Sequence, residues 1–142
     1  LTSAYSILYT ITMIRVFVNG TFDLLHPGHI ALLAWARQQG DILTVAIDSD
    51  RRVRELKGPT RPIYDQGCRR YILQHLRMVD QVEIFDTDEE LINLIARNDI
   101  MVKGADWRGK PIVGEDRAKR ILFFERIDEY STTNTIQHIT NR

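Results

Sequence analysis

Residues 15–29, RVFVNGTFDLLHPGH, take the chain from an apolar run into a helical pattern. The apolar run predicts a strand over 15–19, and the spacing of apolar residues predicts a helix over 28–39. His26 and His29 therefore flank the start of a helix. Unpaired backbone N–H groups and the positive end of the helix dipole make such a position suited to phosphate. Two imidazoles there can donate further hydrogen bonds to charge that develops on a phosphoryl group.

Strand and helix patterns alternate along the rest of the chain. This alternation predicts a Rossmann-like α/β domain, a doubly wound parallel sheet of about five strands with helices on both faces. The further strands are expected at 42–47, 82–85, 100–102 and 121–124, and the further helices at 50–56, at 66–78, from Asp88 onward and from Ser131 onward. Ligands of such sheets bind beyond the carboxyl ends of the strands, where the strand order reverses.

Length and composition restrict the class of protein. The 142 residues fit one domain with its own core, which we expect to span 13–142, with 1–12 as an extension outside the fold. Lysine and arginine number 19, as do aspartate and glutamate, so net charge draws the chain to neither nucleic acid nor a membrane. No segment predicts secretion or membrane insertion, and the single cysteine excludes an internal disulfide, so we expect a cytoplasmic protein.

Three later loops carry side chains suited to a polyanion. Lys57 begins a loop that two prolines stiffen, where an ammonium can neutralise phosphate at modest entropic cost; an ordinary surface lysine is the alternative. Asp106, after the fourth strand, is a candidate for contact with a ribose, a base or a second substrate. Ser131, Thr132 and Thr133 precede the last helix, where hydroxyls serve as caps and can also hold a phosphate.

The run Gly20-Thr21-Phe22-Asp23 followed by His26-Pro27-Gly28-His29 resembles the signature of the HxGH nucleotidyltransferases. The resemblance covers residues 15–139 and implies that both histidines bind the triphosphate of an NTP and support attack on its α-phosphorus. It also implies that Arg69 contacts the phosphates, that Arg126 lies at the nucleotide, and that the protein is a homodimer. The expected site comprises the catalytic His26, His29, Lys57 and Arg69 and the nucleotide-binding Gly20, Thr21, Phe22, Asp23, Gly28, Asp106, Arg126, Ser131, Thr132 and Thr133.

Two branches of that superfamily compete for this chain. The segment Leu56-Lys57-Gly58-Pro59-Thr60-Arg61-Pro62-Ile63 and the run Val102-Lys103-Gly104 resemble the adenylyltransferase domain of the bifunctional heptose enzyme of lipopolysaccharide synthesis. Thr21, the run Asp106-Trp107-Arg108-Gly109-Lys110 and the position of Arg126 resemble glycerol-3-phosphate cytidylyltransferase. The larger number of matched positions favours the heptose-phosphate adenylyltransferase, with the cytidylyltransferase as the alternative.

The resemblance implies a reaction that needs no activated side-chain nucleophile. The phosphate of a sugar or polyol phosphate attacks the α-phosphorus of ATP or CTP in line and pyrophosphate leaves, so positioning and charge stabilisation supply the catalysis. Mg²⁺ is expected to arrive with the nucleotide, held mainly by phosphate oxygens rather than by a dedicated protein site. Asp23 either orients the turn or the metal, or accepts from nearby backbone N–H groups. A nucleotide-binding sensor without turnover is the alternative from another class.

Overall fold

A computed structural model of the chain describes residues 13–125 and 130–142. Its centre is a sheet of five parallel strands in the order β3-β2-β1-β4-β5. The strands are β1 (Arg15–Gly20), β2 (Ile42–Asp48), β3 (Gln81–Phe85), β4 (Ile100–Gly104) and β5 (Ile121–Phe124). The helices are α1 (Pro27–Gln38), α2 (Asp50–Lys57), α3 (Gln66–Gln74), α4 (Asp88–Ala96) and α5 (Thr132–Thr140), and a 3₁₀ turn covers Ala105–Trp107. The predicted fold class is confirmed, while the expectation for 1–12 lies outside the described residues.

The strand order reverses at β1, which lies at the centre of the sheet. Val18 of β1 pairs with Val45 of β2 on one side and with Val102 of β4 on the other. The chain therefore leaves β1 toward one edge of the sheet and later returns to its other side. In doubly wound sheets a crevice opens at this point, beyond the carboxyl ends of the two diverging strands.

Helices cover both faces of the sheet because alternate side chains of each buried strand point to opposite faces. One core cluster includes Val16, Val18, Leu33, Val45 and Leu73 and joins β1 and β2 to α1 and α3. A second cluster on the opposite face includes Phe17, Ala46, Phe85, Leu91, Ile95 and Met101 and joins the sheet to α4. The continuous apolar run of β2 follows from this arrangement, since all but the first of its residues are buried.

Polar side chains fix where the helices begin. His26, Ser49, Asp65, Thr87 and Ser131 each accept a backbone N–H from the first turn of the helix that follows. Such caps satisfy donors that would otherwise lack a partner at the helix start. Because three of these caps directly follow strands or short strand-end loops, they also hold the helix starts at the carboxyl edge of the sheet.

The helix predicted over 66–78 is shorter in the structure and ends at Gln74. Beyond it, the backbone N–H groups of His75, Leu76 and Val79 donate to carbonyls three residues earlier, at 3.1–3.2 Å. These tighter bonds replace the α-helical pattern and turn the chain into β3. Among the described residues, no helix has the length and apolar character needed to cross a membrane.

Candidate active site

A strained loop connects β1 to α1. Phe22 and Leu24 adopt φ values of 51° and 49°, in the left-handed region that bulky side chains rarely occupy. Each such residue costs on the order of 1–3 kcal/mol unless its surroundings fix it, and this strain is often found at functional sites. Gly20 lets the loop fold back closely, because a Cβ at that position would lie 3.0 Å from Cε2 of Phe22.

The two histidines form a reciprocal cap at the start of α1. Nδ1 of His26 accepts from the backbone N–H of His29 at 3.3 Å, and Nδ1 of His29 accepts from that of His26 at 3.2 Å. Their rings stack with centroids 3.7 Å apart and planes 18° apart. With Nδ1 accepting, a neutral imidazole carries its proton on Nε2. The caps therefore make Nε2–H the donor of both rings.

Gly28 allows this stack to form. A Cβ at residue 28 would lie 2.9 Å from Cε1 and 3.0 Å from Nδ1 of His26. Neither ring can move away cheaply, since the cap bonds hold Nδ1 of each. The glycine between the histidines is thus a steric requirement of their geometry.

Both histidines face a pocket of ≈ 170 Å³ above the carboxyl ends of β1 and β4. Its lining comprises Gly20, Phe22, His26, Gly28, His29, Leu32, Gly104, Asp106, Trp107, Phe124 and Tyr130. The pocket thus brings together six of the residues that the sequence predicted. Leu32, Phe124 and Tyr130 were missed, because an apolar helix position, a strand end and an isolated tyrosine carry no chemical signal in sequence. Tyr130 lies beside His26, with ring centroids 6.2 Å apart.

Asp23 directly follows Phe22, which lines the pocket, and holds two loops together. Its side chain is 1% exposed, and its two oxygens accept from the backbone N–H groups of Ile63 and Tyr64 at 2.7 and 3.0 Å. Its backbone carbonyl accepts from Oγ1 of Thr132 at 2.6 Å. Of the roles predicted for Asp23, its contacts match hydrogen bonding to backbone N–H groups. These groups are not nearby in sequence, however, because they lie 40 and 41 residues along the chain. These contacts fasten the β1–α1 loop to the loop before α3 and to α5.

The remaining predicted hydroxyl residues do not line the pocket. Oγ1 of Thr21 lies 3.5 Å from the Asp48 carboxylate. Ser131 caps α5 through the backbone N–H of Asn134, and Thr133 is exposed in the first turn of that helix. The prediction for Arg126 falls outside the described residues.

Arg69 does not take the position expected of a phosphate contact. Its side chain has no exposed surface, and its guanidinium donates to the carbonyls of Thr21, Asp48 and Tyr64 at 2.9 Å each. Nη2 also lies 2.8 Å from Oδ1 of Asp50. An arginine whose donors are engaged in this way joins the loops at the carboxyl edge instead of facing a ligand. The physical reason is that a buried guanidinium requires several fixed acceptors, which these strand ends supply.

Two lysines at the same edge are partly desolvated. Desolvation lowers the pKa of Lys57, and the charge of Arg61 lowers it further, although the side chain keeps an exposed surface. Desolvation also lowers the pKa of Lys103, against the opposing influence of Asp48 and Asp106. Nζ of Lys103 lies 5.0 Å from the centre of the Trp107 ring, within range of a cation–π contact. Lys103 was not a predicted site residue, because the strand predicted over 100–102 stops short of it and apolar periodicity does not show how far a lysine is buried.

The arrangement offers donors and cations but no clustered ligands for a metal. Within residues 13–125 and 130–142, no group of three or more His, Cys, Asp or Glu side chains is placed to hold a metal ion. The positive end of the α1 dipole, two Nε2–H donors and the ammonium groups at the same edge of the sheet suit the phosphates of a ligand.

Comparison with known proteins agrees with this chemistry. A family model described as cytidylyltransferase-like matches residues 17–138. The chain belongs to the cytidylyltransferase-like family. The predicted class, a nucleotidyltransferase enzyme, is confirmed by this match and by its relatives.

Those relatives are longer proteins. The chain is 47% identical over 126 residues to the bifunctional protein HldE of Campylobacter concisus, an alignment that covers 87% of this chain and 26% of that protein. It is 43% identical over 133 residues to the HldE of Syntrophotalea carbinolica, covering 89% and 27%. The chain therefore spans about a quarter of the length of these relatives.

A solved structure shares the fold. The lipopolysaccharide core biosynthesis protein of Thermoplasma volcanium superimposes with a TM-score of 0.66 and 27% identity, over 80% of this chain and 98% of that one. Together with the HldE relatives, this neighbour bears out the expected resemblance to the heptose branch.

Proposed function

We propose that the chain transfers the adenylyl group of ATP to heptose 1-phosphate and releases pyrophosphate. The observation that carries the proposal is the pair of stacked histidines at the N-terminus of α1, facing a pocket at the strand-order reversal. The names of the HldE relatives and of the lipopolysaccharide core biosynthesis protein support a sugar phosphate as the acceptor. Glycerol-3-phosphate cytidylyltransferase activity is the second candidate, favoured by the run from Asp106 to Lys110 and by Thr21.

The reaction is an in-line exchange of phosphate esters. An oxygen of the acceptor phosphate forms a bond to the α-phosphorus, and the bond from that phosphorus to the bridging oxygen of the β-phosphate breaks. The electron pair leaves with pyrophosphate. No side chain needs to act as nucleophile, since the acceptor phosphate is already ionised near neutral pH, and the protein contributes position and charge.

In this reaction the histidine pair holds the triphosphate. Each Nε2–H donates to a phosphoryl oxygen while Nδ1 remains on the helix cap. The start of α1 adds the positive end of the helix dipole. Because the rings are fixed by two cap bonds and by their stacking, these donors need little reorganisation as negative charge develops.

Lys57 is proposed to neutralise the departing pyrophosphate. Its desolvation and its neighbour Arg61 favour the uncharged amine, whereas a bound phosphate would favour the ammonium. The described side chains fit a metal that enters on the nucleotide, since the Asp23 oxygens are occupied by backbone N–H groups and Asp106 is exposed at the pocket. Mg²⁺ bound to the phosphates would neutralise part of their charge. We further propose that the protein acts as a homodimer in the cytoplasm, where NTPs are available.

A pyrophosphate-release assay tests the proposal. ATP and CTP are each combined with heptose 1-phosphate and with glycerol 3-phosphate, and we expect the highest kcat/KM for ATP with the heptose. Binding of ATP without pyrophosphate release from any pair would instead support a nucleotide sensor. Release only from CTP with glycerol 3-phosphate would support the second candidate.

The His29→Ala variant tests the role of the pair. We expect kcat to fall on the order of 10²–10³-fold, the usual cost of removing a donor to developing charge. His138→Ala is the matched control, because His138 is exposed on α5 and does not line the pocket. A folded His29→Ala enzyme with the turnover of the His138→Ala control would refute the assignment.

A further inference from the structure

Arg61, in the loop between α2 and α3, is largely buried, and two of its donor nitrogens have no hydrogen-bond partner. Its side chain is 12% exposed. Three buried side-chain N or O atoms in the described part of the chain lack a hydrogen-bond partner, and two of them are Nε and Nη2 of Arg61. Leaving charged donors unsatisfied in a protein interior is costly. A native arginine in this state calls for a partner that the polypeptide itself does not provide.

The nearest carboxylate does not serve as that partner. Nε of Arg61 lies 3.8 Å from Oδ2 of Asp23, beyond hydrogen-bond range. Both oxygens of Asp23 already accept backbone N–H groups, from Ile63 and Tyr64. Asp23 thus offers charge but no well-placed acceptor to the guanidinium.

The local charge balance is positive. Beyond desolvation, the charge of Arg61 lowers the pKa of Lys57, whereas the carboxylates of Asp48 and Asp23 raise it. The other buried arginine here, Arg69, is matched separately by Asp50 at 2.8 Å. Asp48 is itself paired with Arg52 at 2.8 Å, and both oxygens of Asp23 are engaged, so these carboxylates do not offset the charges of Lys57 and Arg61 in full. An anion that approaches both cations would supply the missing acceptors and the missing charge.

Arg61 is connected to the histidines through the β1–α1 loop. Asp23, which Arg61 approaches, belongs to the same short loop that ends at the His26 cap. Arg61 does not line the histidine pocket, so a triphosphate held at its α-phosphate by the imidazoles reaches Arg61 only if it extends along this loop. Prolines at 59 and 62 flank Arg61 and restrict the loop, so little entropy is lost when an anion is bound.

We propose that Arg61 is a phosphate-binding residue that holds, together with Lys57, the pyrophosphate portion of the NTP. This inference rests on the proposed nucleotidyl transfer and adds to it the residue that replaces Arg69 as the arginine at the phosphates. The planar guanidinium suits two oxygens of one phosphate, which an ammonium cannot match.

Binding of inorganic pyrophosphate to the full chain, measured by calorimetry, tests this inference without an acceptor. We expect Arg61→Met to weaken pyrophosphate binding about 10–100-fold, as for the loss of hydrogen bonds to a charged group. Arg61→Lys is expected to recover part of the affinity, because it restores the charge but not the fork. Arg70→Met is the control, since Arg70 is exposed one residue beyond Arg69, and it should bind within about twofold of the unmodified protein.

Thermal unfolding of the same variants separates binding from a structural role. We expect Arg61→Met to unfold at or above the temperature of the unmodified protein, because it removes a buried charge without a satisfied partner. Unchanged pyrophosphate affinity in Arg61→Met, or in Arg61→Lys if the methionine variant does not fold, would overturn the inference. So would the absence of pyrophosphate binding by the unmodified protein. Pyrophosphate binding that depends on Arg61 but with no turnover on any acceptor would overturn the proposed reaction and leave the inference standing.

Discussion

Replacing Gly28 by alanine should reduce kcat much more than it reduces the stability of the fold. The new Cβ would lie 2.9 Å from Cε1 and 3.0 Å from Nδ1 of His26, closer than non-bonded carbon and nitrogen atoms approach. The ring cannot withdraw without breaking its cap bond to the backbone N–H of His29 or the stack with that residue's ring. The substitution must therefore displace His26 or shift the first turn of α1.

The expected change in unfolding free energy follows from two opposing contributions. Alanine is favoured over glycine within a helix by roughly 0.5–1 kcal/mol. Overpacking a fixed neighbour costs about 1–3 kcal/mol. We therefore expect Gly28→Ala to lose about 0–2.5 kcal/mol of unfolding free energy. Because a misplacement near 1 Å can cost about 100-fold in rate, kcat should fall about 10–100-fold.

Gly67→Ala provides a matched control. Gly67 is the second residue of α3, as Gly28 is of α1, but its Cβ would meet only Oδ1 of Asp65, at an ordinary 3.4 Å. Urea unfolding and the pyrophosphate-release assay are run on both variants. Gly67→Ala should retain its turnover and gain up to about 1 kcal/mol. If Gly28→Ala turned over as fast as Gly67→Ala, the position of the His26 ring would not matter for catalysis and the reasoning would fail.

Two further predictions concern the buried cations. Arg69→Met should lose about 3–5 kcal/mol of stability in urea unfolding, because it removes four hydrogen bonds and leaves Asp50 without its partner; a loss below about 1 kcal/mol would contradict the structural role. Lys103→Met should raise the unfolding temperature near pH 7, because burial lowers the pKa of Lys103 and folding therefore disfavours its ammonium. The difference in unfolding temperature between Lys103→Met and the unmodified protein should shrink as pH rises through the lowered pKa toward the unfolded value of 10.5, because the folded lysine then loses its charge. A difference that does not change with pH would refute this prediction.

Local sequence was sufficient for most of the fold. The strand at 121–124 agrees with β5, and the helix predicted from 28 agrees within one residue with α1. These elements depend on hydrophobic periodicity and on caps, both of which act within a few residues. The end of α3 was misplaced because its last turns form bonds of a different spacing, which apolar periodicity does not distinguish.

The histidine pair was likewise available from sequence, since both rings, the glycine between them and the start of the helix that they cap lie within four residues. Arg69 was not. Its acceptors lie 48 residues away at Thr21 and 21 residues away at Asp48, on strand ends that become neighbours only when the sheet forms.

The surroundings of Asp23, Arg61 and Lys103 likewise depend on tertiary structure and not on local sequence. The amides that bind Asp23 lie 40 and 41 residues along the chain, and the burial of the Arg61 donors becomes visible only when that loop lies beside Asp23. The sequence by itself determined the strands and helices, and it identified the histidines that contact the helix they begin. Tertiary structure alone decided which charges are buried, matched or left for a ligand, because burial and pairing depend on strand order and loop packing.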